Sequence, residues 1–248
     1  MIISNEQELK AMREIGRICA ITLRELGEAL RPGMTTLELD ELAKKLFSEQ
    51  GARSAPISCY QFPGHTCISV NEEVAHGIPG SRVLKEGDKV NIDVSAHKNG
   101  YFADTSATFV IGAINHHRQK LIDCCKRCLE RAISVSVAGN PLNKIGLVIE
   151  KEAKRNGFRT IKNLCGHGVG HTLHDEPESI FNYFEKRDHR ILRPGMVLAI
   201  EPFISERDEY VEEEPDGWTL KTPHHSEVIQ FEHTVMVGED EPIILTLP

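Results

Sequence analysis

The spacing of apolar side chains along the chain predicts long helices in the first part and the middle, with strands between and after them. Apolar residues recur with helical periodicity in four stretches, at about 5–30, 36–50, 116–136 and 142–156. Shorter apolar or alternating runs predict strands at about 66–70, 90–95, 101–110, 159–164, 197–203, 227–236 and 242–246. Helices and strands are both well represented, so the pattern favours an α+β fold.

Two parts of the chain share one helical pattern enclosed by glycines. Gly33 and Gly51 enclose the first copy, and Gly139 and Gly157 enclose the second, and the members of each pair are 18 positions apart. A glycine just after a helix can adopt the left-handed conformation that ends it. We therefore expect the closing glycine of each copy to end its helix.

A second pattern repeats at nearly the same distance along the chain. Gly87 precedes an apolar strand and is followed six residues later by Asp93, and Gly195 stands in the same relation to Glu201. The first pattern repeats after 106 residues and the second after 108. Because no low-complexity linker separates the copies, the sequence predicts two similar halves packed as one pseudo-symmetric domain over residues 1–248.

Composition and charge exclude several classes of protein. The chain is 40% hydrophobic and 27% charged, and no apolar run approaches the ~20 residues of a membrane helix. Its first 16 residues mix charges among apolar positions, unlike a signal peptide. A net charge of −8 argues against broad binding to nucleic acid or to membrane surfaces. Seven irregularly spaced cysteines suit a reducing compartment, so we expect a cytoplasmic protein.

Asp93 and Asp104 lie in two strand-like runs on either side of Asn99 and Gly100, a dipeptide typical of tight hairpins. A two-residue turn would place Ser95 opposite Asp104, and Asp93 shares a face with Ser95 because strand side chains alternate. The two carboxylates are then diagonal neighbours, about 7–8 Å apart at the backbone. Either a cation lies between them or both are solvated on an exposed sheet face, and this pair alone does not decide.

Glu201 and Glu232 each lie in an apolar strand pattern, and Glu201 occupies the repeat position of Asp93. A carboxylate in such a position usually has a partner. Each glutamate alone is more often a salt-bridge partner than a metal ligand. Together with the aspartate pair, however, they strengthen the prediction of a metal site.

His167 lies between Gly166 and Gly168, which let the backbone pack closely and leave the imidazole accessible. The segment lacks the Lys-Ser/Thr of a phosphate-binding loop and does not fit a dinucleotide fingerprint. Four carboxylates and one imidazole form a hard, oxygen-rich set of ligands. Such a set favours two divalent cations, Mn, Fe, Co or Zn, over a closed thiolate zinc site.

Seven residues occur along the chain in an order that resembles the pattern of a known family. The pattern is similar to that of the type I methionine aminopeptidases, in the pita-bread metallopeptidase superfamily, and it runs over essentially the whole chain through His76, Asp93, Asp104, His167, His174, Glu201 and Glu232. The sequence around these residues also matches the motifs of that family, as in 71–79, 166–170 and 174–177. The resemblance implies a pita-bread fold with a central antiparallel sheet and outer helices. It also implies removal of N-terminal methionine from new proteins that have a small second residue.

The resemblance further implies a role for each residue. Two metal ions would be held by Asp93, Asp104, His167, Glu201 and Glu232, with Asp104 and Glu232 bridging. Glu201 would move a proton from the attacking water, and His174 would stabilise charge on the carbonyl oxygen. His76 would contact the scissile amide. The methionine pocket would be lined by Cys59, Phe62, His76, Leu173, His174 and Trp218, where Cys59 and Leu173 replace frequent aromatics and Phe62 a frequent tyrosine.

Two other functions remain open from the sequence. A proline-specific dipeptidase or aminopeptidase shares the five metal ligands, although such enzymes usually carry an additional N-terminal domain. A non-catalytic binding protein of the same fold would typically have lost ligands, whereas all five are present. The expected partners are nascent polypeptide N-termini. A transient ribosome contact fits that substrate class, although no residue indicates it, and we expect a monomer.

Overall fold

The computed structural model describes residues 1–248. Its five helices are α1 (Glu6–Ala29), α2 (Thr36–Glu49), α3 (Ala55–Tyr60), α4 (His116–Ser134) and α5 (Asn143–Arg155). None of them is long and apolar enough to cross a bilayer.

Fifteen strands lie between and after the helices. The first five belong to the N-terminal half: β1 (Arg53–Ser54), β2 (Cys67–Val70), β3 (Glu73–Ala75), β4 (Lys89–Lys98) and β5 (Tyr101–Val110). The others are β6 (Arg159–Thr160), β7 (Cys165–Gly168), β8 (Asp175–Phe181), β9 (Val197–Ile200), β10 (Phe203–Ser205), β11 (Glu212–Glu213), β12 (Leu220–Lys221), β13 (Val228–Gln230), β14 (His233–Met236) and β15 (Ile243–Ile244).

The four long helices confirm the helical periodicity, and a polar side chain caps the start of α1, α2 and α4. The Asn5 side chain accepts a hydrogen bond from the Glu8 amide at the start of α1. Thr35 and Glu38 form a reciprocal capping box at the start of α2. These caps satisfy amide groups that have no partner inside the helix, so each helix begins close to the residue that the sequence predicts.

The hairpin of β4 and β5 confirms the register predicted from its turn. Lys98 pairs with Tyr101 and Ser95 pairs with Asp104 in one uninterrupted antiparallel ladder. Asn99 and Gly100 have φ values of 54° and 83°, as a type I′ turn requires. Because the ladder has no bulge, the alternation of side chains holds along both strands.

The glycine pattern corresponds to a repeated backbone arrangement. The Gly33 amide donates to the Leu84 carbonyl at 2.8 Å, and the Gly139 amide donates to the Leu192 carbonyl at 2.9 Å. The Gly87 and Gly195 amides likewise donate to Ile111 and Val237. The halves are therefore pseudo-symmetric in their hydrogen bonding as well as in sequence.

Each half has its own hydrophobic core. In the first, α1 packs against β4 and β5 and α2 packs against α1, and the core includes Met12, Leu39 and Ile92. In the second, α4 and α5 pack against each other, and the core includes Leu121 and Leu198. The helices are outside and the strands meet between the cores, where the acidic residues lie.

The second half departs from the predicted strands in several places, and the run predicted over 197–203 is divided between β9 and β10. The run predicted over 227–236 is not one strand, because β13 ends at Gln230 and β14 begins at His233. At the break, the Glu232 amide donates to the Ser106 carbonyl at 3.0 Å, and Thr105 Oγ1 donates to the Glu232 carbonyl at 2.9 Å. Glu232 thus leaves its own sheet and binds to β5 of the other half.

Strands β7 and β8 were not among the predicted strands, and the glycine-rich segment around His167 lies in β7. Strand β7 lies between β9 and β8 in a five-stranded sheet of the order β15-β14-β9-β7-β8. A Cβ atom at Gly166 would lie 2.3 Å from the Ala199 carbonyl oxygen, and one at Gly168 would lie 2.2 Å from that of Glu176. The glycines therefore permit close backbone packing, as expected, but in a strand.

Candidate metal centre and substrate cavity

Asp93 and Asp104 project from neighbouring strands of the hairpin. Asp93 pairs with Ser106, and Asp104 pairs with Ser95, so the two carboxylates are diagonal neighbours on one face. Asp104 is only 6% exposed. Burial rules out the alternative of two solvated carboxylates on an open sheet.

Glu201 and Glu232 reach the same region from the second half. Glu201 follows the last residue of β9, and Glu232 lies between β13 and β14. The Gln230 side-chain amide donates to a carboxylate oxygen of each, at 3.4 Å to Glu201 and 3.5 Å to Glu232. One neutral amide therefore holds both glutamates without neutralising either.

His167 adds a nitrogen to this group of oxygens. Its Nδ1 lies 2.8 Å from the Gly168 carbonyl oxygen. Because a carbonyl only accepts hydrogen bonds, Nδ1 carries the proton and Nε2 has a free lone pair. That Nε2 lies 3.5 Å from Glu201 Oε1 and 3.9 Å from Asp104 Oδ2. The backbone therefore fixes the tautomer that can bind a cation among the acids.

Three of the predicted ligands are close enough to share one ion as they stand. Asp104, His167 and Glu232 each offer a ligand atom, and these atoms lie within 4.8 Å of one another. Asp93 adjoins this group through the hairpin, and Glu201 adjoins it through His167. The structure thus brings all five sequence-predicted metal ligands to one place.

The carboxylates lack the partners that buried acids normally have. Asp93 Oδ1, Asp104 Oδ1 and Glu232 Oε1 are buried and accept no hydrogen bond. No lysine or arginine forms a salt bridge with any of them. Buried charge without a partner is strongly unfavourable. An oxygen-rich set with one imidazole fits hard or borderline divalent cations, so these residues fit the metal ions that the sequence predicts.

The shifted pKa values of these side chains also reflect buried acidic groups that lack partners. Burial raises the pKa of Asp104, Glu201 and Glu232 well above the usual carboxylate value, and the negative charge of neighbouring acids raises it further. Burial also raises the pKa of Asp93 to about 6. Burial, with His174 nearby, lowers the pKa of His167 to about 3. The acids resist ionisation together, whereas the imidazole stays neutral and able to act as a ligand.

A cavity of about 420 Å³ opens beside the acids. Its apolar side includes Phe62 and Trp218, whose rings meet edge to face with centroids 5.1 Å apart. Leu173 also lines it and is 4% exposed. One side of the cavity therefore offers carboxylates and the other offers apolar and aromatic surface, a common arrangement in small-molecule and peptide sites.

His76 and His174 line the same cavity. His76 has a φ of 55°, in the left-handed region, which is uncommon for a residue other than glycine. The His174 ring centroid lies 4.1 Å from that of His167. Burial lowers the pKa of both His76 and His174, and His174 lowers that of His76 further. Two neutral imidazoles therefore lie next to the acids.

Two expectations need correction. Cys59 was expected to line the pocket, but it is exposed and does not line the cavity. On a helix the next residue points about 100° further round, and on α3 that residue, Tyr60, is the one that lines the cavity. His167 was expected to be accessible, yet it is only 4% exposed to solvent and is reached through the cavity.

Tyr60 is a candidate functional residue that the sequence did not single out. Its hydroxyl oxygen lies 2.5 Å from His174 Nδ1, 114 positions away in the chain. No local pattern marks this pairing, because it depends on how α3 packs beside the loop before β8.

These features together define a metallopeptidase. The sequence pattern of Metallopeptidase family M24 matches residues 10–239, and the chain belongs to that family. Within it, the chain is 49% identical to the methionine aminopeptidase of Staphylococcus epidermidis over 247 residues, which cover 99% of this chain and 98% of that one. It is 47% identical to methionine aminopeptidase 2 of Bacillus subtilis, over 99% of both chains.

The fold is also similar to that of solved methionine aminopeptidases. The crystal structure of the methionine aminopeptidase from Thermotoga maritima superimposes with a TM-score of 0.96 at 36% identity, covering 100% of both chains. The α+β pita-bread fold predicted from the sequence is therefore confirmed.

Proposed function

We propose that this chain removes the N-terminal methionine from new proteins with a small second residue, by metal-assisted peptide hydrolysis. Two divalent ions, from among Co, Mn, Fe and Zn, would be held by Asp93, Asp104, His167, Glu201 and Glu232. The observation that carries the proposal is the set of buried carboxylate oxygens without partners beside an apolar cavity. The relatives named methionine aminopeptidase, similar over nearly the whole chain, support it.

The ions, when bound, supply Lewis acidity that polarises the scissile carbonyl, lowers the pKa of the attacking water and holds a free amine. Glu201 accepts the proton of that water and passes it to the leaving nitrogen. His174 donates a hydrogen bond to the carbonyl oxygen as negative charge develops there, and His76 contacts the scissile amide.

The aromatic side of the cavity would select methionine. Phe62 and Trp218 form an edge-to-face pair, and Leu173 lies on the same wall. An unbranched thioether can fill an irregular apolar space and makes favourable contacts with ring edges. The carboxylates beside this wall would be next to the substrate's free ammonium group, so the cavity suits the first residue of a chain.

The proposal also covers the catalytic domain, its substrates and the compartment in which it acts. The whole of 1–248 acts as one catalytic domain, because residues of both halves line the cavity. The substrates are nascent polypeptide N-termini, met in the cytoplasm by a monomer that contacts the ribosome only transiently.

Peptide hydrolysis tests the function. Metal-stripped protein is incubated with Met-Ala-Ser, Leu-Ala-Ser and a Gly-Pro peptide, with Mn, Fe, Co or Zn added back. The matched control is Asp104→Asn, which keeps the side-chain shape and removes one charge. We expect release of methionine that depends on added metal and is lost in the control.

The other results would each replace the proposal. Cleavage only before proline would move the chain to a proline-specific peptidase. No cleavage by folded protein with any metal would indicate a binding protein. Metal titration by calorimetry gives the number of ions, and a single site would contradict the two-ion arrangement.

A further inference from the structure

The contact between Tyr60 and His174 is the shortest polar contact that any cavity histidine makes with another side chain. Tyr60 Oη lies 2.5 Å from Nδ1, and the two rings meet at 63° with centroids 5.5 Å apart. The other ring nitrogen, Nε2, has no hydrogen-bond partner in the structure. The hydroxyl therefore engages one edge of the imidazole and leaves the opposite edge free.

The fold holds Tyr60 in this position through helix α3. Ser54 caps the helix, and its hydroxyl donates to the His65 carbonyl at 2.9 Å. The Ser58 hydroxyl donates to the Ser54 carbonyl at 2.7 Å. At the other end, Gln61 is left-handed with a φ of 57°, which stops the helix directly after Tyr60. A six-residue helix fixed at both ends is a rigid support for one side chain.

The direction of the hydrogen bond follows from the two groups. Burial raises the pKa of the Tyr60 hydroxyl above its usual value, so the phenol keeps its proton. The phenol O–H is the more acidic donor and the imidazole nitrogen is the more basic acceptor, so we infer that the hydroxyl donates to Nδ1. With Nδ1 accepting, the proton of the neutral imidazole lies on Nε2.

We propose that Tyr60 is a positioning residue that holds His174 with its proton on Nε2, ready to donate a hydrogen bond within the cavity. The inference rests on the proposed function, in which His174 must donate to a carbonyl oxygen. A neutral histidine can donate from only one nitrogen. Without the hydroxyl, part of the population would carry the proton on Nδ1 and could not donate from Nε2.

The test reads the tautomer directly. Protein labelled with ¹⁵N at histidine is loaded with zinc, which is diamagnetic, and long-range ¹H–¹⁵N spectra are recorded for the wild type and Tyr60→Phe. Tyr101→Phe is the matched control, because it removes another phenol next to a histidine, His171, at a ring distance of 5.4 Å. His174→Gln assigns the signals.

We expect a protonated Nε2 and an unprotonated Nδ1 for His174 in the wild type and in Tyr101→Phe, and a mixture of tautomers in Tyr60→Phe. On Met-Ala-Ser, Tyr60→Phe should lower kcat by about tenfold, the usual size of such outer contacts, with KM changed by less than about twofold. Tyr101→Phe should keep the wild-type kcat.

An Nδ1 proton in the wild type, the same tautomer in Tyr60→Phe, or an unchanged kcat would each overturn the inference. Failure of the proposed function gives a different result. In that case the wild type itself releases no methionine, whatever tautomer His174 shows.

Discussion

The two halves of the molecule share a scaffold but supply their acids differently. In the first half, Asp93 and Asp104 lie within one regular hairpin whose ladder passes both of them. In the second half, the last ladder pair is Ile200 with His233, so Glu201 and Glu232 come just beyond the end of the ladder.

The difference has a local cause on each strand. Pro202 follows Glu201 and has no amide proton to continue the ladder. Glu232 instead hydrogen-bonds to β5 of the first half. Repetition thus sets the framework of both halves, whereas a contact between the halves sets the position of the second acid pair.

The largest expected effect compares the repeat-equivalent acids Asp93 and Glu201. At saturating Mn²⁺, Glu201→Gln should keep a kcat about a thousandfold below wild type, because it lacks the proton acceptor. Asp93→Asn should recover much of its activity as metal is raised, because it loses only a ligand. Rates of Met-Ala-Ser hydrolysis measured against metal concentration distinguish the two variants. Equal recovery of both would show that Asp93 and Glu201 do not differ in their role in the reaction.

The next effect concerns the close packing of β7 against β9 in the second half. Gly166→Ala should lower the free energy of unfolding by about 2–3 kcal/mol, because its methyl would overlap the Ala199 carbonyl. Gly80→Ala is the control in the first half, where the nearest atom would be 4.0 Å away, and it should change stability by less than about 0.5 kcal/mol. Urea unfolding measures both, and similar values would mean that β7 can move away from β9.

A smaller effect tests the aromatic pair, which takes one ring from each half. Trp218→Ala should raise KM for Met-Ala-Ser about tenfold, equivalent to about 1.4 kcal/mol of lost contact, with stability little changed. Phe62 is 3% exposed, so Phe62→Ala should lower the free energy of unfolding as well. Kinetics combined with thermal unfolding separates the two roles, and an unchanged KM in Trp218→Ala would remove that ring from the methionine pocket.

The smallest effect tests the symmetry itself. Gly51 and Gly157 have φ values of 65° and 82° and end equivalent helices. Replacing either with alanine should cost about 1 kcal/mol, the usual penalty for the left-handed conformation. The two costs should agree within about 0.5 kcal/mol. Urea titrations measure the free energy of unfolding of the two variants. Clearly different costs would mean that the halves are symmetric in their hydrogen bonds but not in the stability of their helix ends.

The sequence predicted what depends on neighbouring residues or on repetition. The Asn99–Gly100 turn determined the register of the hairpin, and with it the diagonal relation of Asp93 and Asp104. The glycine spacing predicted the two halves. The ligand roles of the five residues came from the family resemblance and stay predictions until metal is bound and measured.

What the sequence did not predict depends on contacts between distant residues. The segment with Gly166 and Gly168 was not predicted as a strand, because glycine disfavours strands and the partner strand β9 begins 29 residues after β7 ends. The break at Glu232 follows from its bonds to β5. The position of Tyr60 beside His174 depends on a helix too short to show periodicity.

The repeated halves also have a consequence for how such a site could arise. Each half supplies two of the acids, and these acids meet between the two cores. Two identical copies related by a two-fold axis would present the same surface to each other. An ancestral unit of about half this length could therefore have paired with itself and formed a symmetric cluster of acids on the axis. Duplication and fusion of its gene would then have allowed the copies to diverge, leaving one with the histidine strand and the other with the tight hairpin.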